Sequence, residues 1–280
     1  MHRVAAQRVL RRGTRDAVVS VLRAFELSTI GGPWGKRLAA RRAWIDELPW
    51  DDALPDHALA ARAVWTRTAF SEYASAAAFA EIAAALLRAA APIDLVAAAG
   101  DFVIDELLHT ETAARVALAL GGAVAMEVDF DRLVRPALSG DPLVRAAELV
   151  VRTSCVGESL TVPMLRLSRS LAGSRLVDAA LRRIVADESS HAQLGWWFLD
   201  WADARMGDRE RAHLATVAGQ AIEAFAPLLG AACTDSGLGV VACDRYDGAF
   251  AAAVSEHVAR PLAERGIVLP PSALAAVGLA

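Results

Sequence analysis

Apolar residues recur at helical spacing along most of the 280-residue chain, and glycine or proline interrupts the pattern at intervals. Positions three and four apart lie on one face of an α-helix, so this periodicity predicts long amphipathic helices. The alternation of polar and apolar residues that is typical of strands is scarce throughout. The pattern predicts five long helices, over residues 57–90, 94–121, 142–173, 174–206 and 208–230.

Side chains at the start of three of these segments fit the first positions of a helix. Asp141 precedes Pro142, the order expected of an N-cap followed by the first helical residue. Ser174 and Asp208 are the corresponding N-cap candidates of the next two helices. Beyond the fifth helix, a loop is predicted over residues 231–248 and a last short helix over residues 249–265.

The four central helices are joined by short links, except that residues 121–140 separate the second helix from the third. Four long helices with such connections predict an all-α bundle, either up-and-down or with one longer crossover. We expect this four-helix bundle to occupy residues 57–205. Residues 1–56 are predicted to form a basic N-terminal helical extension, and residues 206–280 a C-terminal helical extension that packs on the bundle.

Two of the predicted helices contain the same motif, Asp-Glu-x-x-His, on an apolar face. It occupies residues 105–109 of the second helix and residues 187–191 of the fourth. Residues three apart share a helix face, so each Glu and His can converge on one metal ion, which would compensate the cost of burying the carboxylate. The alternative is that both motifs face solvent as ordinary pairs. The ligands predicted from the motifs are Glu106, His109, Glu188 and His191.

The other two central helices should each contribute one more carboxylate. On the third helix Glu148 lies near the start, and only Glu158 lies at a matching depth. On the first helix the candidates are Glu72 and Glu81. Glu72 precedes Glu106 by 34 residues, and Glu158 precedes the fourth-helix motif by a similar 30 residues from Glu to Glu. Antiparallel helices with a constant rise per residue therefore bring each lone Glu level with its motif, and we choose Glu72.

Four Glu and two His in two half-repeats form the ligand set of a di-iron or di-manganese carboxylate bundle. Hard oxygen donors with a few nitrogens suit these metals better than zinc in a thiolate site. The expected cofactor is a pair of iron ions, with manganese or a mixed Mn/Fe pair as alternatives. A metal-bound His needs an acceptor for its other ring nitrogen. In a crossed arrangement Asp105 orients His191, and Asp187 orients His109.

The net charge of −4 gives no general basic field for nucleic acid, although the first 43 residues contain ten basic residues and only two acidic ones. We interpret this segment as a solvated surface appendage; a targeting peptide or a membrane-surface helix is the alternative. No uninterrupted apolar run reaches the roughly 20 residues of a membrane span. The three cysteines form no CxxC pair, which favours a reducing cytoplasm. One lysine among 29 basic residues, with abundant alanine, indicates a high-GC bacterial genome.

These motifs resemble the ferritin-like superfamily of di-iron carboxylate proteins. The DExxH form is similar to that of ribonucleotide reductase small subunits and bacterial multicomponent monooxygenases, and less closely to that of arylamine N-oxygenases. The strings SEYASAAAFA (71–80), CVGESLTV (155–162) and DESSHAQLGW (187–196) resemble a set of uncharacterised bacterial ferritin-like proteins. The resemblance covers about residues 57–205 and implies a ferritin-like four-helix bundle. Its motif positions coincide with the six predicted ligands, Glu72, Glu106, His109, Glu158, Glu188 and His191.

Two positions depart from these relatives. Tyr73 occupies a position where the uncharacterised proteins tend to have His, so no role is assigned to it. Ile184 occupies the position at which the arylamine N-oxygenases add a further His, which disfavours assignment to that group.

The resemblance implies an O2-dependent di-iron oxidoreductase, a monooxygenase or oxidase that hydroxylates, desaturates or N-oxygenates a small organic substrate. It implies an external electron donor, and a homodimer is compatible with it. The alternative is a ferritin-like iron-binding or ferroxidase protein without an organic substrate, which the long extensions disfavour. A partner-binding scaffold with a degenerate metal site is the third hypothesis.

Overall fold

The computed structural model describes residues 22–28, 32–52, 54, 58–225, 237–241 and 243–279. Much of the basic N-terminal segment therefore lies outside the described residues, as does Cys233. Within these ranges the all-α class is confirmed, and the helices pack as a bundle. The helices are α1 Gly32–Asp46, α2 Leu59–Arg88, α3 Ile93–Ala119, α4 Pro142–Val150, α5 Ser159–Ser170, α6 Arg175–Ala202, α7 Asp208–Glu223, α8 Cys243–Ala253, α9 Arg260–Ala263 and α10 Pro271–Ala275.

The predicted helix starts are confirmed at two of three positions. The Asp141 carboxylate accepts a hydrogen bond from the Val144 N–H at 3.0 Å, and the Ser174 hydroxyl oxygen accepts one from Val177 N–H at 3.2 Å. These bonds satisfy amide groups that have no partner inside the helix. The prediction for α7 was wrong, because Gly207 is the N-cap and Asp208 lies in the first turn.

Two boundaries near the C-terminus also differ from the prediction. Helix α7 ends at Glu223, before its predicted end at residue 230, which lies outside the described residues. The predicted loop over residues 231–248 was wrong from Cys243 onward, where α8 begins. The last predicted helix is composed of the end of α8, a π-helical segment over Val254–Ala259 and α9. Helix α10 was not predicted.

The predicted third helix is continuous from α4 to α5, but a π-helical segment over Val151–Glu158 joins its two parts. The wider turn leaves backbone carbonyls that need other donors, and the Ser159 hydroxyl donates to the Ser154 carbonyl at 3.1 Å. The segment also approaches α6 closely at Gly195, where a Cβ atom would lie 2.9 Å from the backbone nitrogen of Cys155. Glycine is therefore required where the two helices meet.

The central layer is formed by α2 packed along α3, with α6 against α3 and α5. Helix α4 contacts α2. Of the C-terminal helices, α7 contacts the π segment and α8 contacts α5. The link between α3 and α4 contains strand β2, Glu127–Val128, which pairs antiparallel with β1, Arg23–Ala24. The larger core cluster includes Phe79, Phe198 and Phe250, so it extends from the bundle into the C-terminal helices.

Helix α2 has the length and composition of a membrane span, with a mean hydropathy of 1.2 over its most apolar window, of which 33% is buried. Core helices of soluble proteins pass the same test, so this helix alone indicates a membrane only weakly. It also contains the buried carboxylate of Glu72, which faces the interior of the bundle. A soluble protein is compatible with this arrangement.

Candidate metal centre

The six predicted ligands are buried in the middle of the bundle. Glu72 is 6% exposed, Glu158 is 4% exposed, and the remaining four are fully buried. Helices α2, α3 and α6 and the end of the π segment supply them. The rejected candidates lie elsewhere: Glu81 is exposed to solvent on α2, and Glu148 is buried in contact with His213 of α7.

Four of these residues converge most closely. One ligand-type atom each from Glu72, Glu106, His109 and Glu188 lies within 4.8 Å of the others. The four come from three different helices, and all are buried. A group of three carboxylates and one imidazole at this spacing could hold a metal ion.

The carboxylates of Glu106 and Glu188 lie between the two imidazoles. Glu106 places Oε2 3.7 Å from His109 Nδ1 and Oε1 3.1 Å from His191 Nδ1. Glu188 places Oε1 3.1 Å from His109 Nδ1 and Oε2 2.7 Å from His191 Nδ1. Each carboxylate thus turns one oxygen to each histidine, and the two Nδ1 atoms face the same space. This arrangement has two equivalent halves around a shared pair of carboxylates.

The remaining two carboxylates lie on opposite halves. Glu72 Oε2 is 3.9 Å from His109 Nδ1, which places it in the His109 half. Glu158 interacts electrostatically with Glu188, Glu106 and His191. Glu158 and His191 are outside the four-residue group that converges most closely, and they belong to the second half of the arrangement.

The aspartates of the two motifs contact the histidines in the crossed sense. Asp187 Oδ2 lies 3.2 Å from His109 Nε2, within hydrogen-bond distance. Asp105 Oδ2 lies 3.7 Å from His191 Nε2, which is an ion-pair distance but too long for a hydrogen bond. Both imidazoles therefore turn Nε2 to an aspartate and Nδ1 to the centre of the site.

Burial raises the pKa of Glu72 and of Glu158 well above the ordinary range of a carboxyl group, and the negative charges of Glu106 and Glu188 add to this effect. Glu188 differs from them. Burial favours its neutral form, but the contacts with both histidines lower its pKa below the ordinary value. Carboxylates in one site thus have pKa values shifted in opposite directions, as expected of like charges held close together.

The imidazoles hold protons strongly when the carboxylates alone surround them. Burial lowers the pKa of His109, but its contacts with Asp187 and the two central carboxylates raise it well above its ordinary value. Burial also lowers the pKa of His191, but its contacts with Asp105 and the two central carboxylates outweigh burial and raise this pKa to about 12. A divalent cation must displace these protons, so its binding weakens as the pH falls.

Several buried ligand-type atoms lack a hydrogen-bond partner among the described residues. They are both carboxylate oxygens of Glu106, Oε1 of Glu188 and Nδ1 of His109. Buried polar groups are normally paired, and leaving one unpaired costs about 1–3 kcal/mol. Cations bound among these residues would give the atoms partners. The residues present therefore fit a metal ion bound among them.

Aromatic rings close one side of the site. The centroids of Phe79 and Phe102 lie 5.2 and 4.2 Å from that of the His191 ring, and both residues are nearly fully buried. Apolar walls of this kind exclude water and strengthen electrostatic interactions inside the site. The contacts of these two rings with His191 were not predicted from the sequence.

Two arginines beside the site were not predicted. Arg183 lies one turn before Asp187 and contacts it at 3.0 Å. The i,i+4 spacing of the two residues is visible in the sequence and could have predicted this ion pair. Arg41 of α1 contacts Asp105 at 2.7 Å across 64 positions, for which no local signal exists. The number of basic residues in the N-terminal segment indicates an excess of positive charge, but it does not indicate which acidic residue pairs with Arg41.

Comparison of the chain with protein-family models, with curated proteins and with solved structures finds no match. The chemistry of the site is accordingly inferred from its own residues.

Proposed function

We propose that the chain is a non-haem di-iron oxygenase or oxidase of the ferritin-like type, which uses O2 and an external electron donor to hydroxylate, desaturate or N-oxygenate a small organic substrate. The observation that supports it best is the position of Glu106 and Glu188, each with one oxygen toward either imidazole. Two metal ions close together need such shared carboxylates, whereas a single ion does not.

The proposed centre has two halves with equal ligand types. Glu72 and His109 would hold one ion, Glu158 and His191 the other, and the two central carboxylates both. Four carboxylates and two neutral imidazoles balance the charge of two divalent ions, which suits iron, with manganese as the alternative. When bound, two ferrous ions would supply the electrons and open coordination positions that O2 reduction requires.

The protein residues around the centre have three tasks in this proposal. Asp187 and Asp105 fix the ring orientation of the two histidines, so that Nδ1 points inward. Phe79 and Phe102 keep bulk water from the His191 half. A cavity of about 200 Å³ opens between α5 and α6, lined in part by Ser159 and Ser189, which directly follow two of the proposed ligands. In the proposal, a small molecule binds in this cavity beside the site.

Ferroxidase activity without an organic substrate is the second candidate, and the closure of the site favours it. The six residues are at most 6% exposed, and neither the 200 Å³ cavity nor a larger one of about 530 Å³ is lined by any of them. O2 and single ferrous ions are small enough to enter a site of this kind without a preformed channel.

The test is anaerobic loading with ferrous iron, followed by exposure to O2. The proposal expects two irons per chain, a transient visible absorption after O2 is added, and O2 consumption that rises with a suitable substrate and reductant. Two irons that convert directly to a stable ferric pair, with no response to any substrate, would favour the ferroxidase. A protein that binds no iron would refute both candidates.

A further inference from the structure

Helix α1 is attached to α3 by ion pairs between their facing sides. Arg41 contacts Asp101 at 2.5 Å and Asp105 at 2.7 Å with separate guanidinium nitrogens. The neighbouring Arg42 contacts Glu111 at 2.5 Å, and Asp46 contacts an arginine of α3 at 2.7 Å. Two arginines of the basic segment are therefore paired with acidic residues of the bundle rather than freely solvated.

The two oxygens of Asp105 have different partners. Oδ1 accepts a hydrogen bond from Arg41, and Oδ2 faces His191 Nε2 at 3.7 Å. Among the described residues, Asp105 is the carboxylate within ion-pair distance of that nitrogen, and Nε2 has no hydrogen-bond partner. Asp105 is 15% exposed and Arg41 is 35% exposed, so the contact between them is partly shielded from water.

The other aspartate is held differently. Arg183 and His109 both contact Oδ2 of Asp187, at 3.0 and 3.2 Å, and Arg183 belongs to the same helix as Asp187. That arrangement needs only the i,i+4 spacing of α6. Asp105 depends instead on a side chain from a helix outside the four that supply the ligands.

We propose that Arg41 is a positioning residue of the metal site, which holds Asp105 in the orientation that directs His191 Nδ1 into the centre. The inference rests on the proposed metal centre. Carboxylates that face the outer nitrogen of a metal-bound histidine orient it, as Asp105 does at ion-pair distance, and their loss typically weakens metal binding about 10–100-fold. Arg41 acts one contact further out, and its planar group fixes Asp105 by bridging it to Asp101.

The test compares Arg41→Gln with Arg42→Gln, the adjacent arginine that makes the same kind of ion pair with Glu111, whose ion pairs are with arginines rather than with a histidine. Anaerobic titration with Fe²⁺ against a chelator measures the two binding constants of each purified full-length variant. Arg41→Gln is expected to weaken one of the two by about tenfold, the low end of the range for groups around a ligand. Arg42→Gln is expected to leave both constants unchanged.

A purely structural role for Arg41 would give a different pattern. If it only docked α1, both glutamine variants would lower the thermal midpoint of the metal-free protein and affect iron binding alike. That result would overturn the proposal. Arg41→Lys retains one charge but not the planar bridge, so its affinity should lie between those of wild type and Arg41→Gln. If Arg41→Gln fails to fold, the pair Arg41→Lys and Arg42→Lys carries the same comparison.

A double variant tests whether Arg41 affects iron affinity through Asp105 or in another way. In an Asp105→Asn background, Arg41→Gln should have little further effect on iron affinity, because the residue through which it acts is already altered. Additive effects of the two substitutions would overturn the proposal. If wild type binds two irons and the Arg41 and Arg42 variants behave alike, only the role of Arg41 fails. If wild type binds no iron, the metal centre fails with it.

Discussion

The two halves of the candidate site use the same residue types on helices of different regularity. In the His109 half, Glu72 and Glu106 project from α2 and α3, which run for 30 and 27 residues as uninterrupted α-helices. In the His191 half, Glu158 is the last residue of a π-helical segment, and α5 continues from it with Pro163 in its interior. The two halves therefore have the same types of side chain, although the helices that carry them differ in backbone conformation.

The difference has a local cause in the packing between the π segment and α6. A Cβ atom at Gly195 would lie 2.5 Å from the Cys155 sulfur and 2.9 Å from its backbone nitrogen. The widened turn and the missing side chain together bring Glu158 alongside α6. The His109 half depends on helical periodicity, whereas the His191 half depends also on this close approach.

The largest expected effect comes from a residue that both halves share. Glu106→Ala should abolish binding of the iron pair, because its two oxygens face the two imidazoles. Glu72→Ala removes a carboxylate from the His109 half only and should lower the stoichiometry from two irons to one. Iron per chain after anaerobic loading and desalting measures both.

Glu81→Ala is the matched control for these variants, because Glu81 is exposed on the same helix as Glu72. It should retain two irons. Loss of iron in Glu81→Ala, or two irons in Glu106→Ala, would contradict the assignment of the shared carboxylates.

The second effect is on stability and tests the close approach directly. Gly195→Ala should lower the free energy of unfolding by about 3 kcal/mol, the upper end for overpacking, because the new methyl group meets backbone as well as the Cys155 side chain. Urea unfolding of the metal-free protein measures this. Fewer bound irons should accompany the loss, through displacement of Glu158.

Gly100→Ala provides the control in the regular half. Nothing lies within 4 Å of a Cβ atom at Gly100, which is exposed on α3. Alanine there should raise the unfolding free energy by up to about 1 kcal/mol, as helix propensity predicts. Equal effects of the two substitutions would show that the approach at Gly195 is not tight.

The same contrast explains how much could be predicted from the sequence. Periodicity predicts α2 and α3 closely, and the capping residues Asp141 and Ser174 predict the starts of α4 and α6, because apolar stripes and caps act locally. Because the rise per residue of a helix is constant, the depth of a residue in the bundle is proportional to its number. This relation identifies Glu72, rather than Glu81, as the residue level with the motif on the neighbouring helix. The residues of the regular half of the candidate site are therefore predictable from spacing alone.

The features that were missed depend on contacts between distant segments. A π-helical segment differs from an α-helix by about one residue per turn, which the apolar pattern of residues 151–158 does not distinguish. The contact between Arg41 and Asp105 spans 64 positions. The partner of His213 is similarly distant, on α4, and spacing within α7 does not predict it.

The smallest effect concerns two buried glutamates of one continuous helix, Glu148 and Glu158. Glu148 accepts hydrogen bonds from Leu138 N–H at 2.5 Å and Ser139 N–H at 2.9 Å, and lies 2.8 Å from His213 Nε2. Burial opposes its ionisation, but these hydrogen bonds lower its pKa below the ordinary value. Glu158 has like charges around it instead, and its pKa is raised.

Glu148→Gln should therefore lower the unfolding free energy by about 1.5 kcal/mol at neutral pH, the size of one hydrogen bond to a charged group. The pKa of Glu148 is lower in the folded than in the unfolded state, so the ionised group stabilises the protein above its ordinary pKa of about 4.3. This contribution is lost as the pH falls through the lower pKa of the folded state. The difference between wild type and variant should be constant from pH 7 to about 5 and shrink below about 4.3.

Glu158→Gln in the metal-free protein should have the opposite sign. The raised pKa of Glu158 means that its ionised form is disfavoured in the folded state, so its contribution to stability decreases as the pH rises above about 4.3. Removing the charge should leave the metal-free protein at least as stable as wild type at pH 7, while the stoichiometry falls from two irons to one. The contrary result is a variant that is less stable than wild type at pH 7 but equally stable at pH 4. Glu158 would then resemble Glu148, a structural carboxylate that accepts hydrogen bonds, and would not be a ligand surrounded by like charges.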